Sequence, residues 1–271
     1  MLVHGAPADH NRWRPLLPYL EPYVTVHVLD RRGRGASGDA PEYLVEREYE
    51  DVAAAVDAVA ASGQRVDVYG HSHGGIVAFG AAALTPNIHK LVLYEGWPVP
   101  DPSIYTLPAG VMTRMNKLLA EGDRDGVVEA LFRSVEEISD EDMAALLSAP
   151  LGQAESQPRT RCPARFWARA RPDWKQTWRR GSTCLSCYGP ASKHRPLKEV
   201  GAVAAALPDV QRLVLAGQQH IGDILDPETF AKHLLAFLHG PTLRRRTGAI
   251  ANARHDYRRS CCSTFDMICR P

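Results

Sequence analysis

A chain of 271 residues, 45% hydrophobic and 23% charged, has the composition of an ordinary globular protein and enough length to bury one sizeable core. A formal net charge of +1 excludes a global field that would recruit nucleic acid, a membrane surface or strongly acidic substrates. Neither a basic-then-apolar leader nor an apolar run long enough to span a bilayer is seen, so the expected location is cytoplasmic.

Taken in chain order, the first half alternates short β-branched runs with helical patterns, the form of parallel strands joined by crossover helices. Residues 1–4 and 24–29 read as the first two strands. Residues 49–61 follow as a helix, with Val52, Val56 and Val59 at helical spacing and Gly63 as its end. A third strand is expected at 66–69, and an apolar, small-residue helix at 74–84 that must lie buried. The fourth strand is Leu91-Val92-Leu93-Tyr94. Amphipathic segments at 111–120 and 126–135 come next, then a helix led by Ser139 as cap with carboxylates in its first turn. This helical block reads as a lid inserted between strands, over residues 97–182. From 157 to 188, Arg, Trp, Pro and Cys crowd together with neither period, and 183–188 makes only a poor strand. Order returns with a helical pattern at 197–207, the strand Leu213-Val214-Leu215 and an amphipathic helix at 227–238. The core is therefore expected in 1–96 and 183–240, with a disordered tail over 241–271.

The six cysteines, Cys162, Cys184, Cys187, Cys261, Cys262 and Cys269, fit no disulfide framework, so reduced thiols are expected. Cys184 and Cys187 form a C-x-x-C, but no second pair completes a zinc set. No metal and no cofactor is implied.

The chemistry-bearing pattern is Gly70-His71-Ser72-His73-Gly74, between the third strand and the helix that follows. A serine hydroxyl needs a base to take its proton and must project from the sheet rather than lie along a strand. A sharp turn flanked by small residues meets both needs, which is why G-x-S-x-G in this context marks a nucleophile. An oxyanion hole would then use the N–H of His73, at a helix N-terminus, and that of Ala6 in His4-Gly5-Ala6, unless His4-Gly5 is a plain strand-ending turn. His220, after the last strand, is the candidate base, and Ser-acid-His is the order of such sites. The acid is harder to place. No Asp or Glu occurs from Cys187 to Lys198, where it would follow the penultimate strand. Glu95, ending the fourth strand beside Gly96-Trp97-Pro98, is the first alternative, with Asp101 and Asp223 behind it. His71, Trp97 and Tyr105 are expected to line the substrate site, and Met112 and Met115 either line an acyl pocket or form the core of the lid.

These residues together resemble the α/β-hydrolase superfamily, in particular small bacterial esterase-like members. Asp30-Arg31-Arg32-Gly33-Arg34-Gly35-Ala36-Ser37-Gly38 looks like the D-x-R-G-x-G-x-S segment of that superfamily and implies a structural turn. Tyr94-Glu95-Gly96-Trp97-Pro98 is similar to the place where haloalkane dehalogenases put their acid, although those enzymes use Asp where Ser72 stands. The resemblance implies a mostly parallel sheet flanked by helices, truncated at its N-terminal edge because the family's first two strands would precede residue 1. An unpaired edge of this kind would allow a homodimer. The aperiodic stretch at 157–188 departs from the family pattern and has the composition of a GC-rich gene read out of frame. The expected activity is hydrolysis of a small carboxylic ester or lactone through Ser72, His220 and Glu95. Other chemistries of the fold, namely perhydrolysis, C–C hydrolysis and acyl transfer, stay open, as does an inactive binding protein.

Overall fold

The structure is a computed structural model that describes residues 1–96, 109–134, 138–148, 184–188, 210–215 and 220–239. The strands are β1 (Leu2–Val3), β2 (Val28–Leu29), β3 (Val66–His71), β4 (Ile88–Tyr94), β5 (Cys184–Tyr188) and β6 (Val210–Val214). They form one sheet in the order β2-β1-β3-β4-β5-β6, with every neighbouring pair parallel. Parallel neighbours need crossovers, and the helices supply them. They are α1 (Leu17–Leu20), α2 (Val45–Ala60), α3 (His73–Ala81), α4 (Val111–Ala120), α5 (Arg124–Ser134), α6 (Asp140–Ser148), α7 (Gly222–Leu225) and α8 (Pro227–His239).

Successive strand residues point to opposite faces, and the sequence fills both. Val3, Val68, Leu91 and Leu93 face a core closed by α2 and α3, through Val52, Val56, Val77 and Phe79. Leu2, Tyr69, Val92 and Tyr94 face a second core closed by α1 and α8, through Leu17, Phe230 and Leu234. Each large apolar side chain so buried contributes roughly 1.5–3 kcal/mol. Helix α3 is buried on every side, as its Ala, Gly and Val content anticipates. Gly63, at φ +97°, terminates the turn after α2, and Ser139 accepts from the Asp142 N–H at 3.0 Å, as a cap should.

Two sequence expectations change. The second strand shrinks to Val28–Leu29, because β1 offers partners only to those two residues, through Leu2↔Val28 and Val3↔Leu29. The poor strand at 183–188 is central: Cys184–Tyr188 pairs with β4 on one side and β6 on the other. Strands of all-parallel sheets need no polar alternation, so periodicity undervalued this one. The rest of the aperiodic stretch, the expected helix at 197–207 and the tail after 240 lie outside the described residues.

Helices α4 to α6 have a core of their own. Met115 is fully buried among Val111, Val127, Ala130 and Leu131, so it packs the helical block, while Met112 is half-buried. A second group, Val128, Phe132, Ile138, Met143 and Leu146, closes over Ile221 and Ile224 at α7. No helix among the described residues is long and apolar enough to cross a membrane.

Candidate active site

Strand β3 ends at His71 and α3 starts at His73, so Ser72 alone makes the turn. Its backbone takes φ 53° and ψ −128°, a region that disfavours side chains and is held only where the surroundings over-determine it. The Ser72 N–H donates to the Tyr94 carbonyl at 2.8 Å, and the Gly75 N–H to the Ser72 carbonyl at 2.8 Å. Two neighbouring turns press on this elbow. A side chain at Gly96 would place its Cβ 1.7 Å from the Ser72 carbonyl oxygen, and one at Gly5 would come within 2.9 Å of the Ser72 Cβ. Only glycine permits either approach.

The Gly5 contact brings the turn after β1 against the nucleophile, with the Ala6 N–H next in the chain. His73, the first residue of α3, carries an N–H that has no carbonyl upstream within its helix. Ala6, through its neighbour Gly5, and His73 thus both lie close to Ser72.

Glu95 follows β4 at φ 52°, a second non-glycine residue in left-handed backbone. Its side chain is buried, and its Oε2 lies 3.9 Å from His220 Nδ1. That is an ion-pair distance, beyond hydrogen-bond reach. His71, expected as a site wall, is 2% exposed and serves the histidine instead. Its Nε2 lies 2.7 Å from the His220 carbonyl, so Nε2 carries the hydrogen and donates it. The two imidazoles pack with centroids 4.7 Å apart. Asp223, the weaker acid candidate, accepts from Arg12 at 2.7 Å and from the Tyr69 hydroxyl at 3.1 Å. Burial, partly offset by Arg12, raises its carboxyl above the usual range. It ties the turn His10–Trp13 to α7. Trp97, Asp101 and Tyr105 lie outside the described residues.

Sequence reasoning missed a buried polar layer beneath the site. Arg31, read as part of a structural turn, donates to Glu48 Oε2 at 2.7 Å and to the Gly5 carbonyl at 3.2 Å. Its backbone N–H donates to His4 Nε2 at 3.2 Å. Tyr43 donates to the other oxygen of Glu48 at 2.7 Å, and His73 Nε2 lies 3.6 Å from that oxygen. Burial alone would raise the Glu48 carboxyl, but Arg31, with His73 and Tyr43, holds it well below its ordinary value. One signal for this existed in the sequence: Glu48 interrupts the stripe Val45, Tyr49, Val52 and Val56, and a carboxylate on an apolar face needs a buried cation. Glu48→Ala leaves Arg31 buried without its counter-charge and should lower the unfolding free energy by about 3–5 kcal/mol, read from urea titration. Because the folded carboxyl sits below its unfolded value, its stabilisation is complete above about pH 4.5 and is lost as the pH falls further. Wild type and Glu48→Ala should therefore converge in stability on acidification.

Among the described residues no group of three His, Cys, Asp or Glu side chains is arranged to hold a metal ion. A cavity of about 530 Å³, lined by Met1, His27, Val66, Asp67 and Leu238 among others, lies at the start of β3. Ser72 lies at the other end of that strand, where parallel α/β sheets place their chemistry.

Comparison with known proteins gives this arrangement its context. No curated protein matches the chain significantly. Among solved structures, an alpha/beta hydrolase from Sphaerobacter thermophilus DSM 20745 is 30% identical, with a TM-score of 0.70 over 88% of this chain and 91% of that one. A thermophilic esterase from Thermogutta terrifontis is 22% identical, with a TM-score of 0.64 over 88% of each chain. The enol-lactonase from Burkholderia xenovorans LB400 is 20% identical, with a TM-score of 0.67 over 88% of this chain and 89% of that one. These last two share the fold. The model of the alpha/beta hydrolase family matches residues 1–257, and the chain belongs to that family.

Proposed function

We propose that this hydrolase cleaves a small carboxylic ester or lactone through an acyl-enzyme on Ser72. The observation that carries the reading is the strained Ser72 elbow, tied to a buried Glu95–His220 pair on two sides: His71, before Ser72 in the chain, donates to the His220 carbonyl, and Gly96, after Glu95, packs on the Ser72 carbonyl. Ser72 Oγ attacks the ester carbonyl while His220 takes its proton. The tetrahedral oxyanion accepts from the Ala6 and His73 N–H groups. Collapse expels the alcohol, which receives the proton from His220, and water repeats the sequence to release the acid. Glu95 holds the imidazole in its productive tautomer and stabilises the imidazolium. Contacts as long as theirs shorten when substrate fills the site. No cofactor is required by these steps. The esterase and enol-lactonase neighbours favour this substrate class. Residues 97–182 act as a cap on the core of 1–96 and 183–240, and Trp97 and Tyr105 supply its apolar wall.

A fluorophosphonate probe tests the reading directly. Wild type is expected to label stoichiometrically and Ser72→Ala not at all, in parallel with hydrolysis of p-nitrophenyl acetate or a simple lactone. A folded wild type that neither labels nor hydrolyses these compounds overturns it.

A further inference from the structure

The layer beneath the site contains an arrangement that packing alone does not require. The carbonyl of Gly5 and the N–H of Ala6 belong to one planar peptide and point in opposite directions, so fixing the carbonyl fixes the N–H. Two donors converge on that carbonyl. His4 Nε2 accepts from the Arg31 N–H at 3.2 Å, which leaves the hydrogen on Nδ1, and Nδ1 lies 2.8 Å from the Gly5 oxygen. The Arg31 guanidinium is the second donor, at 3.2 Å. Burial, reinforced by Arg31, pushes His4 down to about 3, so its ring is a neutral, single-tautomer donor at working pH. Arg31 is itself gripped by Glu48 at 2.7 Å, with both side chains 1% exposed. The same carboxylate reaches toward His73, which carries the other N–H that flanks Ser72.

We propose that Arg31, anchored by Glu48, is a positioning residue for the oxyanion hole: it locks and polarises the Gly5–Ala6 peptide, making the Ala6 N–H a better-aimed and stronger donor. The inference rests on the serine-hydrolase reading above. Its physical basis is cooperativity. Charge-assisted donation to a carbonyl draws electron density from the conjugated nitrogen, and in a water-excluded site each bond strengthens the next by about 10–30%. A buried ion pair is otherwise a poor stabiliser, and apolar residues of similar volume often do as well or better. Its value here lies in direction: the pair carries no net charge, but its dipole sets the Arg31 guanidinium against the Gly5 carbonyl. One carboxylate thus links the supports of both donors.

The test uses the full chain and p-nitrophenyl acetate, comparing wild type with Arg31→Lys and with the double variant Arg31→Met/Glu48→Leu, which removes both charges together. Oxyanion contacts exist only in the transition state, so kcat should fall by about 10- to 100-fold while KM stays within about threefold. Fluorophosphonate labelling should slow by the same factor. Arg31→Lys, which keeps the cation without the fork, should fall between the two. A double variant with wild-type kcat overturns the inference, and so does a raised KM with kcat unchanged, which would make Arg31 a substrate contact. If the double variant does not fold, Glu48→Gln carries the same decision: lowered kcat at constant KM supports the inference, and no change overturns it. Failure of wild type itself to turn over or label would instead sink the hydrolase reading on which the inference stands.

Discussion

Ser72→Ala should lower the turnover of an activated ester by about a million-fold, leaving only the residual rate that an oxyanion hole and binding provide over water. The side chain is small, so the elbow keeps its shape. The Gly5 and Gly96 contacts that press on the elbow involve its backbone and Cβ, which alanine retains. The thermal midpoint is therefore expected to stay near that of wild type. Steady-state kinetics with the purified variant checks the first point, and calorimetry the second. A variant within tenfold of wild type removes Ser72 as the nucleophile.

The second large effect is expected at Glu95. Glu95→Gln keeps the volume and hydrogen-bonding capacity of a buried side chain but takes away the charge beside His220 Nδ1, 3.9 Å away. The amide also offers an N–H where the imidazole needs an acceptor, so the wrong tautomer is favoured. On both grounds kcat should drop by about 10²- to 10⁴-fold with little change in KM. This substitution also decides between acids. Asp223 is already occupied by Arg12 and Tyr69, so a near-normal Glu95→Gln enzyme would place the acid outside the described residues.

Most of the sheet was legible because its signals are local. Leu91 to Tyr94 alternate between two apolar faces, and Gly70 to Gly74 carry a turn whose residue types are dictated by sterics. Helix α4 ran over residues 111–120 as its periodicity required. Residues 184–188 were undervalued because helices cover both faces of an all-parallel sheet, so its strands need no polar alternation to mark them. The candidate site was legible where it depends on chain position: Ser72 after a strand, His220 after the last one, Glu95 at the end of β4. The support layer was not, because Arg31 and Glu48 stand 17 residues apart and only the crossing of α2 over the loop after β2 joins them. The role of His71 was hidden for a similar reason. Its partner is a backbone carbonyl 149 residues away, and a carbonyl leaves no mark on a sequence.

Among the described residues, Ser72 and Glu95 are the non-glycine positions with positive φ. Glycine would occupy either backbone more cheaply. The fold therefore gives up stability at the two residues proposed for chemistry, and a search for a more robust variant, left to follow thermal tolerance alone, would be drawn to replace them. In this protein selection for durability and selection for turnover pull on the same two backbone positions in opposite directions.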